Sequence, residues 1–118
     1  ILDGQPIPVF GDGSTGRDYT YIDDIVAGVI AALRVGHAYE VFNLGNSHTV
    51  TLNRMIATLE HALGRKAVVN RLPDQPGDVP ITFADISKSE RLLGYCPQMR
   101  FEEGIREFVD WYRAERAR

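Results

Sequence analysis

Between Gly11 and Asp24 the chain reads G-D-G-S-T-G-R-D-Y-T-Y-I-D-D. A glycine-rich loop runs into an Arg-Asp pair, a short aromatic stretch and a double aspartate that opens a helix. No other segment concentrates so much special backbone and charge. It reads as a loop that brings Arg17 to an anionic ligand, anchored by the helix that follows.

Gly11, Gly13 and Gly16 also spell G-x-G-x-x-G, the dinucleotide fingerprint. That fingerprint works only when a helix starts at its last glycines, so that the helix N-terminus faces the pyrophosphate. Here Arg17-Asp18-Tyr19-Thr20-Tyr21-Ile22 alternates and is β-prone, which predicts a strand, with the helix beginning at Asp23. The spacing therefore argues against a dinucleotide site. A plain connecting turn of Gly, Asp and Ser is the unremarkable alternative.

Elsewhere strands and helices alternate, with no internal repeat or low-complexity linker, which predicts one domain of α/β or α+β class with about four helices. Gln5 to Phe10 carries two prolines and is restricted to an edge strand or extended arm. Ile22, Ile25, Val26, Val29, Ile30 and Leu33 fall at helical spacing and are expected to face inward, with Asp23 as cap. Tyr39–Leu44 alternates as a strand. Thr51 caps a second helix that stops at Gly64. Ala67–Leu72 and Thr82–Asp85 read as short strands around the proline-stiffened loop Pro73–Pro80. Ser87-Lys88-Ser89-Glu90 reads as a capping box, and Phe101–Arg116 as an amphipathic helix.

A net charge of −3 supplies no basic field for nucleic acid, and no apolar run approaches the ~20 residues that span a bilayer. The start, Ile1-Leu2-Asp3-Gly4, has no initiator methionine and no leader-like basic and apolar regions, which reads as a piece of a longer chain. A single cysteine, Cys96, fits a reducing cytoplasm and has no base beside it in sequence. His37, His48 and His61 lack metal-ligand spacing, so no metal site is expected.

The Gly11–Asp24 motif is followed in order by Phe42-Asn43-Leu44-Gly45-Asn46, Gln75-Pro76-Gly77-Asp78-Val79, Ala84-Asp85-Ile86-Ser87-Lys88 and Phe101-Glu102-Glu103-Gly104-Ile105. Together these resemble the C-terminal part of the extended short-chain dehydrogenase/reductase family, the nucleotide-sugar epimerases and dehydratases. Within it the pattern is most similar to the UDP-glucose and UDP-glucuronate 4-epimerases. The resemblance covers nearly the whole chain. It implies a small C-terminal substrate-binding domain over residues 1–118, with the NAD-binding Rossmann domain outside this chain.

A nucleotide-sugar needs cations for its pyrophosphate and acceptors for its ribose hydroxyls. Arginine bonds two phosphate oxygens at once, and a carboxylate accepts from both ribose hydroxyls. Arg17 and Asp78 are of the right type, and the resemblance assigns Arg17 to the diphosphate and Asp78 to the ribose. Alternatively, Arg17 simply pairs with Asp18 or Asp12 on the surface. The resemblance places Val9 and Phe10 beside the base or ribose, against the alternative that Phe10 is core. Many relatives carry a second phosphate-binding arginine where this chain has Gln75. That departure tilts the pattern toward the glucuronate type, and Arg71 is a candidate substitute.

The family's chemistry uses NAD and a Tyr-x-x-x-Lys pair. Tyr19, Tyr21, Tyr39, Tyr95 and Tyr112 are followed four residues on by Asp23, Ile25, Asn43, Met99 and Arg116, none of them lysine. The resemblance therefore implies a UDP-sugar-binding part of an NAD-dependent 4-epimerase that binds no NAD and holds no catalytic residue itself. A decarboxylase or 4,6-dehydratase parent shares this half. Outside the enzymes, the alternative is a stand-alone binding module. Separated from a Rossmann partner, the chain is expected to self-associate through exposed apolar surface.

Overall fold

The computed structural model describes residues 1–117. In chain order the elements are β1 (Ile7–Phe10), β2 (Gly16–Asp18), α1 (Ile22–Val35), β3 (Thr49–Thr51), α2 (Leu52–Leu63), β4 (Val69–Leu72), α3 (Ser87–Leu93) and α4 (Phe101–Arg116). This is the mixed α/β architecture that the sequence predicts. Two two-stranded sheets form: β1 pairs in parallel with β4, with Val9 opposite Arg71, and β2 pairs antiparallel with β3, with Arg17 opposite Val50.

The body is a slab of 49 × 39 × 19 Å with a radius of gyration of 17.0 Å. A closed domain of this length would measure about 13–14 Å. The core is correspondingly small: among the described residues the buried hydrophobic side chains are Val9, Val50, Ile86, Tyr95 and Val109.

α1 shows why the core is thin. Its buried position is Gly28, on which a Cβ would meet Leu44 at 2.7 Å and the Tyr95 ring at 2.9 Å. Asp24, Ile25, Ala31 and Ala32 flank Gly28 on the half-buried face. The large aliphatics expected inside, Ile22, Val26, Val29, Ile30 and Leu33, stand on the other side and are exposed, Leu33 to 77%. Both faces of α1 are thus apolar. The small-residue face wins the core because only it lets the helix approach Leu44 and Tyr95 closely.

Several local expectations change. Tyr39–Leu44 forms no strand: it has the alternation but no partner strand among the described residues, and Tyr39 and Val41 are exposed. The strand expected over Arg17–Ile22 is confined to Gly16–Asp18, and α1 begins one residue early with Tyr21 as its cap residue and no side-chain cap. The 82–85 strand reduces to a single bridge between Gly16 and Ile81. Ser87 opens α3 rather than capping it: Ile86 is the cap residue with no side-chain cap bond, and Asp85 Oδ1, just ahead of it, accepts from the Ser87 amide at 3.0 Å and from the Ser87 hydroxyl. Those two bonds, the hydroxyl first, hold the Asp85 carboxyl below the usual range.

α2 and α4 follow expectation. The Thr51 hydroxyl accepts from the Arg54 amide at 3.2 Å, Gly64 ends α2 in the left-handed region, and α4 runs from Phe101 to Arg116. No helix among the described residues is long and apolar enough to cross a membrane.

Candidate functional site

The site is built on the backbone of the glycine loop. Gly11 N–H donates to Leu72 O at 2.9 Å, and Gly16 N–H donates to Pro80 O at 2.8 Å. The loop 73–80 is therefore pinned to the glycine loop at both ends. This double attachment carries Asp78 back to the root of β2, where Arg17 emerges.

The glycine loop is in turn clamped to α2. Leu52 N–H donates to Thr15 O and Asn53 N–H to Gly13 O, while Asn53 Nδ2 donates to Asp12 O at 2.9 Å. Gly13 sits at φ 81°, and a Cβ there would lie 2.1 Å from Asn53 Oδ1, so a side chain at this position would be strained and would displace the Asn53 amide. Arg71, from β4, donates to Gly11 O at 3.1 Å and reaches Asn53 Oδ1 at 3.4 Å. Asp12 accepts from the Ser14 amide at 2.8 Å, and its bonds to Ser14 hold its carboxyl below the ordinary value.

This arrangement decides between the two readings of the glycine motif. Gly16 opens a strand, and α1 starts only at Ile22. The α2 amides near the loop are taken by the loop's own carbonyls. Residues 11–22 thus lack the glycine-to-helix junction of the dinucleotide fingerprint.

Arg17 and Asp78, 61 residues apart, meet as an ion pair through Nη2 and Oδ1, and Arg17 Nη1 also donates to Gly16 O at 2.8 Å. Their side chains are 29% and 42% exposed, so both charged groups stay accessible to a ligand. The surface pairing weighed in the sequence, Arg17 with Asp18 or Asp12, is not the one formed. Gln75 is exposed beside Asp78, and its carbonyl accepts from the Asp78 amide at 3.1 Å. Of the β1 candidates, Val9 is core and offers only backbone, whereas Phe10 is 39% exposed and is not the core residue that the alternative required.

Sequence reasoning missed Asp18. Its carboxylate accepts from the Asn46, Ser47 and Ala84 amides, each at 3.0 Å. It ties β2 to two distant segments and holds Ser47 at a positive φ of 57°. Beside it the Tyr95 hydroxyl donates to Gly45 O at 2.9 Å. Burial, then the negative charges of Asp24 and Asp18, pushes the Tyr95 phenol above its ordinary pKa. No group of three or more His, Cys, Asp or Glu that could hold a metal occurs among the described residues.

The geometry defines a mixed α/β slab that carries a solvent-accessible Arg-Asp pair on a glycine-loop base. The family profile described as GDP-mannose 4,6 dehydratase matches residues 1–108, and the chain belongs to that family of extended short-chain dehydrogenase/reductase nucleotide-sugar epimerases and dehydratases. It is 43% identical to the UDP-glucuronate 4-epimerase of Thermodesulfobacterium geofontis over 94% of this chain and 34% of that protein. It is 39% identical to UDP-glucuronate 4-epimerase 4 of Arabidopsis thaliana over 95% of this chain and 30% of that protein. The solved UDP-glucuronic acid 4-epimerase of Bacillus cereus, in complex with UDP-glucuronic acid and NAD, superposes with a TM-score of 0.88 at 36% identity, covering 97% of this chain and 37% of that one. The chain spans about a third of the length of the curated relatives it matches.

Proposed function

We propose that this chain is the UDP-sugar-binding part of an NAD-dependent UDP-sugar 4-epimerase, with Arg17 on the diphosphate and Asp78 on the ribose. The observation that carries the reading is the meeting of these two side chains on a clamped loop base. A diphosphate approaching Arg17 competes with a carboxylate already there, so binding exchanges one charge-assisted bond for a bidentate one. Asp78, released from Arg17, is then free to accept from ribose hydroxyls. The exposed Phe10 ring is placed for the base, and Val9 contributes backbone. Gln75 stands beside the pair without a charge of its own. Arg71 braces the loop through Gly11 rather than standing free as a second phosphate ligand.

NAD, when bound by the complete enzyme, supplies the hydride chemistry, and its site and the Tyr-x-x-x-Lys pair belong to the Rossmann part. The exposed aliphatic face of α1 and the alternating segment 39–44, without a partner strand among the described residues, support such a part covering this slab. A 4,6-dehydratase parent draws support from the dTDP-glucose 4,6-dehydratase DesIV of Streptomyces venezuelae, solved with NAD and TYD bound, at 33% identity and a TM-score of 0.89 over 98% of this chain and 36% of that one. Separated from its partner, the 118-residue chain self-associates through the α1 face. Sedimentation over a wide concentration range checks this, and a strict monomer would refute it.

Calorimetric titration with UDP tests the site, with NAD as control and Arg17→Ala as the variant. UDP binding that weakens at least about tenfold in the variant, with no response to NAD, is expected, since a lost charge-assisted bond costs about 1.5–3 kcal/mol. UDP binding unaffected by the substitution would reject the assignment.

A further inference from the structure

The two halves of the candidate site hang from different elements. Arg17 stands on β2, which pairs with β3 and is tied to the start of α2 through Thr15 O and the Leu52 amide. Asp78 stands on the loop that leaves β4 at Leu72. Asn53 lies where the two supports meet. Its backbone N–H donates to Gly13 O at 3.0 Å, and its side-chain Nδ2 donates to Asp12 O at 2.9 Å. The other end of the same amide, Oδ1, accepts from Arg71 Nη2 at 3.4 Å, while Arg71 Nη1 donates to Gly11 O at 3.1 Å. These contacts run in a ring: α2 to the glycine loop, the first residue of that loop to β4, and β4 back to α2.

A primary amide suits this position because it offers a donor and an acceptor on one short, planar group. A carboxylate would set a negative charge against Asp12 O, and an aliphatic group would answer neither partner. Packing agrees with the hydrogen bonds: the Gly13 backbone lies so close that an added Cβ would meet Asn53 Oδ1 at 2.1 Å. An asparagine at the start of a helix ordinarily finds a partner on the nearby backbone of its own segment. Here both ends of the amide are engaged by other segments. Asn53 and Arg71 are both exposed, so the ring adds little to the core, and its effect falls on the relative placement of the segments it joins.

We infer that Asn53 is a positioning residue for Arg17: by joining the glycine loop to Arg71, it fixes the support of β2 against the support of loop 73–80 and keeps the Arg17 guanidinium opposite Asp78. It acts through the backbone between Asp12 and Gly16 rather than on a ligand. Loss of the amide lets the glycine loop slide relative to β4. Arg17 then meets Asp78 in several arrangements instead of one, and a diphosphate has to order the guanidinium on binding, which weakens affinity. As a role in UDP binding this rests on the function proposed above; the ordering of Arg17 does not.

NMR on the 118-residue chain tests it with two variants. Asn53→Ala removes both ends of the amide, and Asn53→Asp keeps the acceptor while removing the donor. The Arg17 side-chain Nε–Hε signal reads, without ligand, how firmly the guanidinium is held, and its position in Asp78→Ala marks a released one. Asn53→Ala should move this signal at least halfway to that mark, and Asn53→Asp should move it in the same direction. The Asn46, Ser47 and Ala84 amides should stay unchanged in both, which separates misplacement from unfolding. UDP binding should weaken about three- to tenfold in Asn53→Ala, but less than about twofold when the same substitution is made in Arg17→Ala, because the effect passes through Arg17. An Arg17 signal unmoved by Asn53→Ala would overturn the inference. So would an equal loss of UDP affinity with and without Arg17, which would make Asn53 a structural residue or a direct ligand contact. UDP binding indifferent to Arg17→Ala would instead reject the nucleotide reading, and the ligand-free Arg17 signal would still decide the role of Asn53.

Discussion

Two regions meet at Asp18 and Arg17, adjacent residues with opposite surroundings. On one side lies a knot: Asp18 on three amides, the Tyr95 hydroxyl on Gly45 O, and the fully buried Ser89 hydroxyl donating to Asn43 O. On the other lies a rim: the loop 73–80, exposed along its length, with Asp78 joined to Arg17 by an ion pair. In the knot these polar groups are satisfied by one another within the protein. On the rim the same chemical types hold each other loosely and in reach of solvent. A binding site on a thin slab needs both: a rigid base, and charges whose partners can be exchanged.

Substitutions on the two sides should therefore separate stability from binding. The largest effect is expected for Asp18→Ala, which removes a charged acceptor from three amides and should cost about 3 kcal/mol or more in urea unfolding. A cost below about 1 kcal/mol would mean that the knot does not hold the slab together. Tyr95→Phe comes next. It leaves Gly45 O without its donor and should cost about 1–3 kcal/mol near neutral pH. Its pH dependence sharpens the point. A phenol whose pKa is raised on folding keeps its contribution below the unfolded value of about 10 and loses it as pH climbs above that. The wild-type chain should thus lose stability above about pH 10 through Tyr95, and the phenylalanine variant should lack that component.

Arg17→Ala should do the reverse. An exposed pair contributes about 0–1 kcal/mol, so unfolding should barely move while UDP binding weakens. Equal losses in both would show Arg17 to be structural. The smallest effect on stability, within about 0.5 kcal/mol, is expected for Gln75→Arg. By adding a cation beside Asp78 it should tighten UDP binding several-fold, and a calorimetric comparison with wild type reads it directly.

Features governed by local chemistry were legible in the sequence. α4 shows its amphipathic period and α2 its Thr51 cap and Gly64 stop, because each is settled within a few residues. Arg17 and Asp78 were legible as types through the motifs that carry them. Their pairing was not, because it depends on two loops being fastened through Gly11–Leu72 and Gly16–Pro80. The roles of Asp18 and Asp24 were equally hidden. Asp24, beside the presumed cap Asp23, accepts from the Gln98 and Met99 amides at 2.9 and 3.0 Å, and no spacing announces a bond across 75 residues. Tyr39–Leu44 has strand chemistry without a strand to pair with. In α1 two apolar faces overlap at Ile25, so periodicity finds the helix but not the side on which Gly28 allows contact.

Amide chemical shifts during a UDP titration read both regions at once. Movement is expected at Arg17, Gln75 and Asp78, with the Arg17 guanidinium signal shifting as its partner changes, while Asn46, Ser47 and Ala84 stay fixed on Asp18. Movement centred on the Gly11–Gly16 amides on adding NAD, with Arg17 and Asp78 indifferent to UDP, would contradict it.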